Sequence, residues 1–439
     1  MTASRPPAGT LSRAAALALL SLYDGVGHIA YPVLSLLHRR RARLGKEDPA
    51  RRGERFGAAS QPRPEGDLVW VHAASVGETN AVMPVVRALT DRGLKVVLTS
   101  GTVTSAKTAA ERLPDGALHQ YVPYDLSGGV AAFLDYWRPA VVMLVESEIW
   151  PATFRAVKRR GLPLAILNGR MSPKSTSGWL KARALAQTLF GLVDVCLARS
   201  EEDAENYRSL GVRDVRVVGD LKFESPVPDA DPAALEDFRR WIDGRPIWLA
   251  ASTHPGEEEV VAEVHRRLRD EHPGLLTLLA PRHPNRSGEI RVVLEGRGLN
   301  VAVRSRHDLP GPETDVYLAD TIGEMGLFYR LSPIVFMGGS FMSAGGHNPL
   351  EPAFCGAAIL TGPGFANQQD VYDRLIAEKG TLVVHGAEDL AETLSELLHN
   401  PRHAAEVAAA AGRTAHDGQG AVSRTMDALS ALLPRNGAA

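Results

Sequence analysis

The stretch Leu68-Val69-Trp70-Val71-His72-Ala73-Ala74-Ser75-Val76-Gly77-Glu78-Thr79-Asn80 decides the fold. Residues 68–73 form a short, mostly apolar run with no polar face, which suits a strand buried on both sides; such strands belong to parallel sheets covered by helices. Small residues then turn the chain into an expected helix over 79–89. The same order recurs. Residues 96–100, 141–145, 164–167, 193–198 and 215–218 read as further buried strands with amphipathic helical patterns between them. A second series begins at 247–250 and continues through 275–280, 301–304, 316–319, 334–337, 358–360 and 381–384. Each series specifies a doubly wound, Rossmann-like α/β domain. Between them, Glu224-Ser225-Pro226-Val227-Pro228-Asp229-Ala230-Asp231-Pro232 carries prolines that forbid a continuous helix or central strand, and reads as an exposed linker. The expected division is therefore 1–60, 61–223, a linker at 224–232, and 233–439, whose last helices can cross back to the first domain.

The bulk composition fits this plan. A chain of 439 residues, 44% hydrophobic and 23% charged, is too long for one ordinary core and balanced enough to fold. The net charge of −2 argues against a nucleic-acid binder, which needs a basic stripe to displace counterions from phosphates. The two cysteines, Cys196 and Cys355, lie in separate apolar runs, so neither a disulfide framework nor a thiolate zinc site is expected. The histidines His72, His254, His283 and His347 occur singly without metal-ligand spacing, and the chain has neither a P-loop nor a Gly-x-Ser-x-Gly elbow.

The N-terminus differs in kind. From Ala14 to Leu37 the only formal charge is Asp24, and the run ends in His38-Arg39-Arg40-Arg41-Ala42-Arg43, with Lys46, Arg51, Arg52 and Arg55 behind it. Spanning a bilayer and lying along its surface are both compatible with that pattern, although a carboxylate at mid-membrane is costly. A basic flank places the following residues on the cytoplasmic side and attracts anionic headgroups. A helix packed on the globular body is the plain alternative.

Ligands of doubly wound sheets bind beyond the carboxyl ends of the strands, so two such sheets facing one another would pool their loops in a cleft. The loops after strands carry the chemistry. In the first domain, Glu78 stands at a loop-to-helix junction where a carboxylate can act as a general base, a place that the helix dipole alone would also favour. Glu146 and Glu148 follow the strand 141–145 directly, and a carboxylate there needs a partner or a role. Arg170, in Asn168-Gly169-Arg170-Met171-Ser172, and Lys222, in Gly219-Asp220-Leu221-Lys222-Phe223, put cations where phosphate or carboxylate oxygens would arrive. In the second domain, Ser252-Thr253-His254, Pro281-Arg282-His283-Pro284 and Asp320-Thr321-Ile322-Gly323-Glu324-Met325 are strand-to-helix loops fit for an anion. The most informative piece is Gly338-Gly339-Ser340 with Gly345-Gly346-His347-Asn348-Pro349-Leu350-Glu351. Its glycines permit close backbone approach. A helix opening near Asn348 with Pro349 in its first turn would aim its positive end at the loop, and Glu351 is placed to accept from ribose hydroxyls.

Taken together, 72–78, Tyr121-Val122-Pro123-Tyr124-Asp125, 146–151, 219–223, Ser252-Thr253-His254, Pro281-Arg282-His283-Pro284 and 338–351 resemble the 3-deoxy-D-manno-octulosonic acid (Kdo) transferase family of lipopolysaccharide biosynthesis. The resemblance runs from the N-terminal segment to the last helices. It implies a GT-B fold of two facing Rossmann-like domains, the first binding the acceptor and the second binding CMP, with residues 1–60 as a membrane-associated segment. It implies CMP-Kdo as donor with no bound metal or cofactor, and a lipid A precursor as acceptor at the cytoplasmic side of the inner membrane. By motif, Glu78 would take the proton, Glu146 and Lys222 would stabilise the transition state, and Pro281, Arg282, Ile322, Gly323, Glu324, Asn348, Pro349, Leu350 and Glu351 would bind CMP. Two other classes share the architecture: nucleotide-sugar epimerases, which have no need of an apolar anchor, and a tethered binding module without turnover, which would tolerate loss of Glu78.

Overall fold

The computed structural model describes residues 12–342 and 344–434. Residues 1–11 of the expected membrane-associated segment, Ser343 and residues 435–439 lie outside the described residues. The chain forms two compact units, Met1–Glu224 with Gly420–Ala439, and Ser225–Gln419.

The first unit is built on seven parallel strands: β1 (Leu68–His72), β2 (Lys95–Ser100), β3 (Ala117–Tyr121), β4 (Val141–Val145), β5 (Leu164–Gly169), β6 (Val195–Ala198) and β7 (Val215–Val217), in the order β3-β2-β1-β4-β5-β6-β7. Val69 and Val71 pack into the core on one side of the sheet, while Leu68 and Trp70 pack into the core on the other. The run is apolar throughout because both faces are covered. Trp70 is buried, and its indole N–H donates to Thr99 Oγ1 at 2.8 Å, so the ring carries no unpaired polar atom into the core. The final helix, Ala421–Leu429, belongs to this unit and lies against the helix Val76–Asp91, burying Ala421, Met426 and Leu429 in the same core.

The second unit repeats the plan with β8 (Ile247–Thr253), β9 (Leu276–Pro281), β10 (Val301–Val303), β11 (Val316–Leu318), β12 (Ile334–Met337), β13 (Ala358–Thr361) and β14 (Thr381–Val383), in the order β10-β11-β9-β8-β12-β13-β14. The strand order reverses between β1 and β4 in the first unit and between β8 and β12 in the second. Those two switch points are where open α/β sheets leave a crevice for ligands.

The linker is not a free tether. Its Pro228 carbonyl accepts from Arg330 at 2.6 Å, and a Cβ added to Gly326 would lie 2.0 Å from the Asp229 carbonyl oxygen. Only glycine admits that approach.

The N-terminal apolar stretch forms one helix, Arg13–Arg43, bent by 60° between its halves, with Pro32 inside it. Proline removes a helical hydrogen bond and its ring crowds the preceding turn, which accounts for the bend. Among the described residues no single helix is long and apolar enough to cross a membrane, although the two bent halves together meet that test. One face lies on the first unit: Ala16 and Leu20 are buried, and Tyr23 donates to Asp125 Oδ2 at 3.1 Å. Asp24 pairs with Arg155 at 3.0 Å and Arg159 at 3.1 Å. The carboxylate that reads as an obstacle in a membrane helix is thus a docking contact. The opposite face leaves Leu22, Val33 and Leu36 more than 60% exposed. Part of the basic flank is structural, since buried Arg55 and exposed Arg41 both pair with buried Glu47 at 3.0 Å.

Candidate active site

Local backbone strain marks the strand ends. Glu146 (φ 58°), Asn168 (φ 51°) and Ser252 (φ 56°) adopt left-handed conformations that non-glycine residues seldom take. All three lie at the carboxyl ends of β4, β5 and β8, around the switch points. Strain of this kind persists only where surrounding contacts impose it, and it gathers at functional sites.

In the first unit, β1 leads through Ser75 into the helix Val76–Asp91. Ser75 caps that helix by accepting from the Glu78 N–H at 3.2 Å, and its hydroxyl donates to Glu78 Oε1 at 2.8 Å. Glu78 Oε2 accepts from the Ala74 N–H at 2.8 Å. This is a capping arrangement, so the structural role open to a first-turn glutamate is real. It does not exhaust the side chain. A carboxylate offers about four lone-pair directions, and two are taken. Burial pushes the Glu78 carboxyl above its ordinary value; the Ala74 and Ser75 hydrogen bonds pull the other way, and the charges of Glu146 and Glu148 add to the upward push. Glu78, Glu146 and Glu148 therefore form one cluster.

Glu146 follows β4, its N–H donating to the Leu167 carbonyl at 2.8 Å and its own carbonyl accepting from the Tyr207 hydroxyl at 2.9 Å. The twisted backbone turns its carboxylate to Lys222 Nζ at 2.9 Å. Lys222 is held in turn by a network that the sequence does not advertise. Asp220 Oδ1 accepts from the Lys222 N–H at 2.9 Å and from Asn168 Nδ2 at 3.1 Å, and Asn168 Oδ1 accepts from the Leu221 N–H at 2.9 Å. Asn168 thus ties the end of β5 to the turn after β7. Glu148 accepts from Trp150 Nε1 at 2.8 Å and lies 3.6 Å from His72 Nε2. Arg170 contributes its carbonyl to the Tyr207 hydroxyl at 3.3 Å.

In the second unit, the glycine-rich loop after β12 is folded around Glu257, a fully buried carboxylate. Glu257 Oε2 accepts from Gly339 N–H at 2.7 Å and His254 N–H at 2.9 Å; Oε1 accepts from Phe341 N–H at 3.0 Å and Ser340 N–H at 3.1 Å. A Cβ on Gly338 would lie 2.7 Å from the Ser252 carbonyl oxygen and 2.9 Å from Glu257 Oε2, which explains the glycine. Glu257 lies three residues beyond the quoted Ser252-Thr253-His254 and has no motif of its own; the available signal is a run of three glutamates, Glu257 to Glu259, opening a helix. The second, Glu258, accepts from Arg286 at 2.9 Å and Thr253 Oγ1 at 3.1 Å.

The expected CMP residues separate into groups. Gly323 and Glu351 line one cleft of about 360 Å³ with Pro226, Pro228, Asp229, Met325 and Gly326. That volume lies within the range of small-ligand sites. Glu351 is pushed up by burial, against the hydrogen bond from Asn348 and the charge of Arg282. Asn348 Nδ2 also donates to Ser225 Oγ at 3.0 Å. Ile322 is 89% exposed, an unusual position for an isoleucine and a ready apolar surface for a ring. Glu324 is committed to Arg304 at 2.7 and 3.1 Å, and that hydrogen bonding holds its carboxyl below the ordinary range. Pro281 and Leu350 are buried, while Arg282 is exposed. The helix after the loop begins at Leu350 with Pro349 as its cap, later than expected, and spans only Leu350–Phe354. Asn348 therefore serves the turn, its Oδ1 accepting from the Leu350 N–H at 3.1 Å.

Cys196 and Cys355 are free thiols. Among the described residues one group has metal-ligand geometry, Glu271, His272 and His399, with ligand atoms all within 4.8 Å of one another. His272 precedes β9, on the amino edge of the sheet and away from the loops described above.

Two doubly wound units in tandem, with an acid and lysine cluster on the first and a glycine loop wrapped on a buried carboxylate on the second, are the architecture that GT-B glycosyltransferases share with nucleotide-sugar epimerases. Comparison with known proteins narrows the class. Residues 50–225 match the family described as 3-deoxy-D-manno-octulosonic-acid transferase (kdotransferase). The 3-deoxy-D-manno-octulosonic acid transferase of Haemophilus influenzae is 33% identical over 387 residues, 87% of this chain and 90% of that protein. That of Bordetella pertussis is 37% identical over 413 residues, 90% of this chain and 95% of that protein. Among solved structures, the C-terminal CMP-Kdo binding domain of WaaA from Acinetobacter baumannii is 29% identical, the match covering 42% of this chain and 96% of that one with a TM-score of 0.40. The chain belongs to the 3-deoxy-D-manno-octulosonic acid transferase family.

Proposed function

We propose that the protein transfers Kdo from CMP-Kdo to a lipid A precursor with inversion at the anomeric carbon, without a metal, and that Glu78 is the general base. The observation that carries this reading is the acid cluster at the first switch point, where Glu78 keeps lone pairs beyond its capping bonds and has its carboxyl pushed up by burial and by Glu146 and Glu148. A raised carboxyl is a stronger base once ionised, which suits removal of a proton from a sugar hydroxyl. The oxygen so activated attacks the anomeric carbon of Kdo as the bond to the CMP phosphate breaks. Lys222, held 2.9 Å from Glu146, supplies a positioned cation for the charge that develops. On the second unit, the cleft bounded by Gly323 and Glu351, with Asn348 and Arg282 beside it, accommodates cytidylate, and exposed Ile322 offers an apolar surface to the base.

The helix Arg13–Arg43 is read as lying on the cytoplasmic face of the inner membrane. Its exposed leucines and valines face away from the body of the first unit, and His38, Arg39, Arg43 and Arg52 line a cleft of about 300 Å³ suited to anionic headgroups. The test is incubation of the purified protein with CMP-Kdo and a lipid A precursor, followed by mass spectrometry of the lipid. Addition of Kdo units with release of CMP is expected. An unchanged lipid, or isomerised nucleotide sugar in its place, would overturn the reading.

A further inference from the structure

The second switch point brings together three imidazoles that the roles above leave unused, beside Arg282. His254 follows β8, and His347 lies in the glycine-rich loop after β12, the strand paired with β8. Their Nε2 atoms are 2.9 Å apart, with ring planes at 16°. The His283 ring is 5.9 Å from that of His254, edge to face. Arg282 is fixed by its backbone, its N–H donating to the Thr253 carbonyl at 3.0 Å. Gly339 takes a left-handed backbone here (φ 70°), and a Cβ would press on both rings, 3.1 Å from His347 Nε2 and 3.3 Å from His254 Cδ2.

A 2.9 Å contact between two imidazole nitrogens needs one N–H and one lone pair. Two neutral rings carry two N–H protons between them. One is consumed in the contact, which leaves the pair a single Nδ1–H to offer outward. A third proton changes this: the pair becomes an imidazole–imidazolium unit with the same shared Nε2 proton, two outward Nδ1–H donors and a positive charge. The surrounding protein groups keep the third proton off. Burial pulls His347 down to about 4, with His254, Arg282 and His283 adding to the effect. Burial also lowers His254; Glu257 and Glu258 oppose this, and His283 and Arg282 reinforce it. The two acids have other engagements, Glu257 with four backbone N–H groups and Glu258 with Arg286. The corner thus gathers three imidazoles and a guanidinium, a donor set that suits an anion.

We propose that His254 and His347 form a proton-loading anion site: an anionic oxygen of the cytidylate donor, on its phosphate or on the carboxylate of its sugar, binds beside Arg282 and draws one proton from solvent onto the pair. The inference rests on the CMP-Kdo reading of the second unit. The bound anion removes the electrostatic reason for the pair to stay neutral, and the added charge and second donor hold the anion. Release of CMP then returns the proton to solvent.

The test is calorimetric titration of the whole protein at pH 7 with cytidine, CMP and CMP-Kdo, each in buffers of differing ionisation enthalpy. The slope of observed heat against buffer ionisation enthalpy counts protons. We expect about one proton taken up with CMP if the phosphate is the anion, or with CMP-Kdo alone if the sugar carboxylate is, and none with cytidine. His347→Gln should bind the charged ligand about 10-fold or more weakly and lose most of the uptake, including against any proton carried by the phosphate itself. Because that variant can misfold, the histidine Cε1–H resonances of the unaltered protein are also followed against pH, free and saturated with ligand. The apparent pKa of the pair should rise on binding from below the assay pH to well above it. Binding of both charged ligands with no uptake, or with uptake equal in His347→Gln and with unmoved resonances, would overturn the inference and leave the donor reading intact. Failure of both ligands to bind would remove both.

Discussion

Replacing Glu257 by Gln changes one oxygen to an amino group and should cost far more than one charge on a helix usually does. In the native protein four backbone N–H groups, of His254, Gly339, Ser340 and Phe341, converge on the two carboxylate oxygens at 2.7–3.1 Å. An amide has one oxygen and can serve two of them. Its NH₂ then faces the other two, and each buried donor left unpaired costs about 1–3 kcal/mol. The expected loss is about 2–6 kcal/mol, a large part of the ~5–15 kcal/mol that holds an ordinary domain together. Glu259→Gln is the matched control. It removes the same charge from the first turn of the same helix, Glu257–Leu268, where the dipole effect is worth only about 0.3–1 kcal/mol. Urea unfolding followed by fluorescence, with and without saturating CMP, reads both variants. Glu257→Gln should unfold at much lower urea and lose most of its CMP stabilisation, while Glu259→Gln stays near the parent. Equal, mild effects in the two variants would refute the claim that Glu257 organises the glycine-rich loop.

Because burial and then the charges of Glu146 and Glu148 raise the Glu78 carboxyl, kcat/KM should fall on acidification through a pH above the ordinary glutamate value of about 4.3; Glu148→Gln removes one of those charges and should shift that acid limb downward, so a limb that stays or rises in a pH–rate profile contradicts the cluster. Gly326→Ala puts a methyl group 2.0 Å from the Asp229 carbonyl oxygen, so the linker must move out of the cleft; CMP affinity measured by calorimetry should drop at least 10-fold, and unchanged affinity would place the nucleotide elsewhere. Changing Leu22, Val33 and Leu36 together to Ser should release the protein from vesicles containing anionic lipid in a flotation assay while leaving its unfolding curve nearly unchanged, since all three are exposed; persistent binding would argue against a membrane role for this face.

Much of this was legible in the amino-acid sequence, and what was not has physical reasons. The inner strands of both units announce themselves because parallel strands buried on both faces must be apolar throughout. β3 does not, since its Ala-Leu-His-Gln-Tyr lacks such a run. It occupies an edge, and its buried polar groups are satisfied by partners distant in sequence: His119 Nε2 at 2.9 Å from Ser100 Oγ, and Gln120 Oε1 accepting from Trp137 Nε1 at 3.1 Å. Glu78, Glu146 and Lys222 were readable as acids and a cation after strands, and the ion pair between the last two fits that placement. Asn168, Asp220 and Glu257 were not, because positioning residues are defined by hydrogen bonds across loops and not by spacing. Asp24 and Arg55 show the reverse error, in which groups read for their charge toward a membrane turn out to be tied to the protein itself.

The most direct test of the account sets transfer against binding in Glu78→Gln. With CMP-Kdo and a lipid A precursor, the variant should add Kdo to lipid at least 100-fold more slowly than the parent, in line with loss of a general base. Its Kd for CMP should stay within about 2-fold of the parent, since Glu78 and the cleft proposed for cytidylate belong to different units. Transfer at the parental rate, or an equal loss of CMP binding, would contradict the assignment of the base.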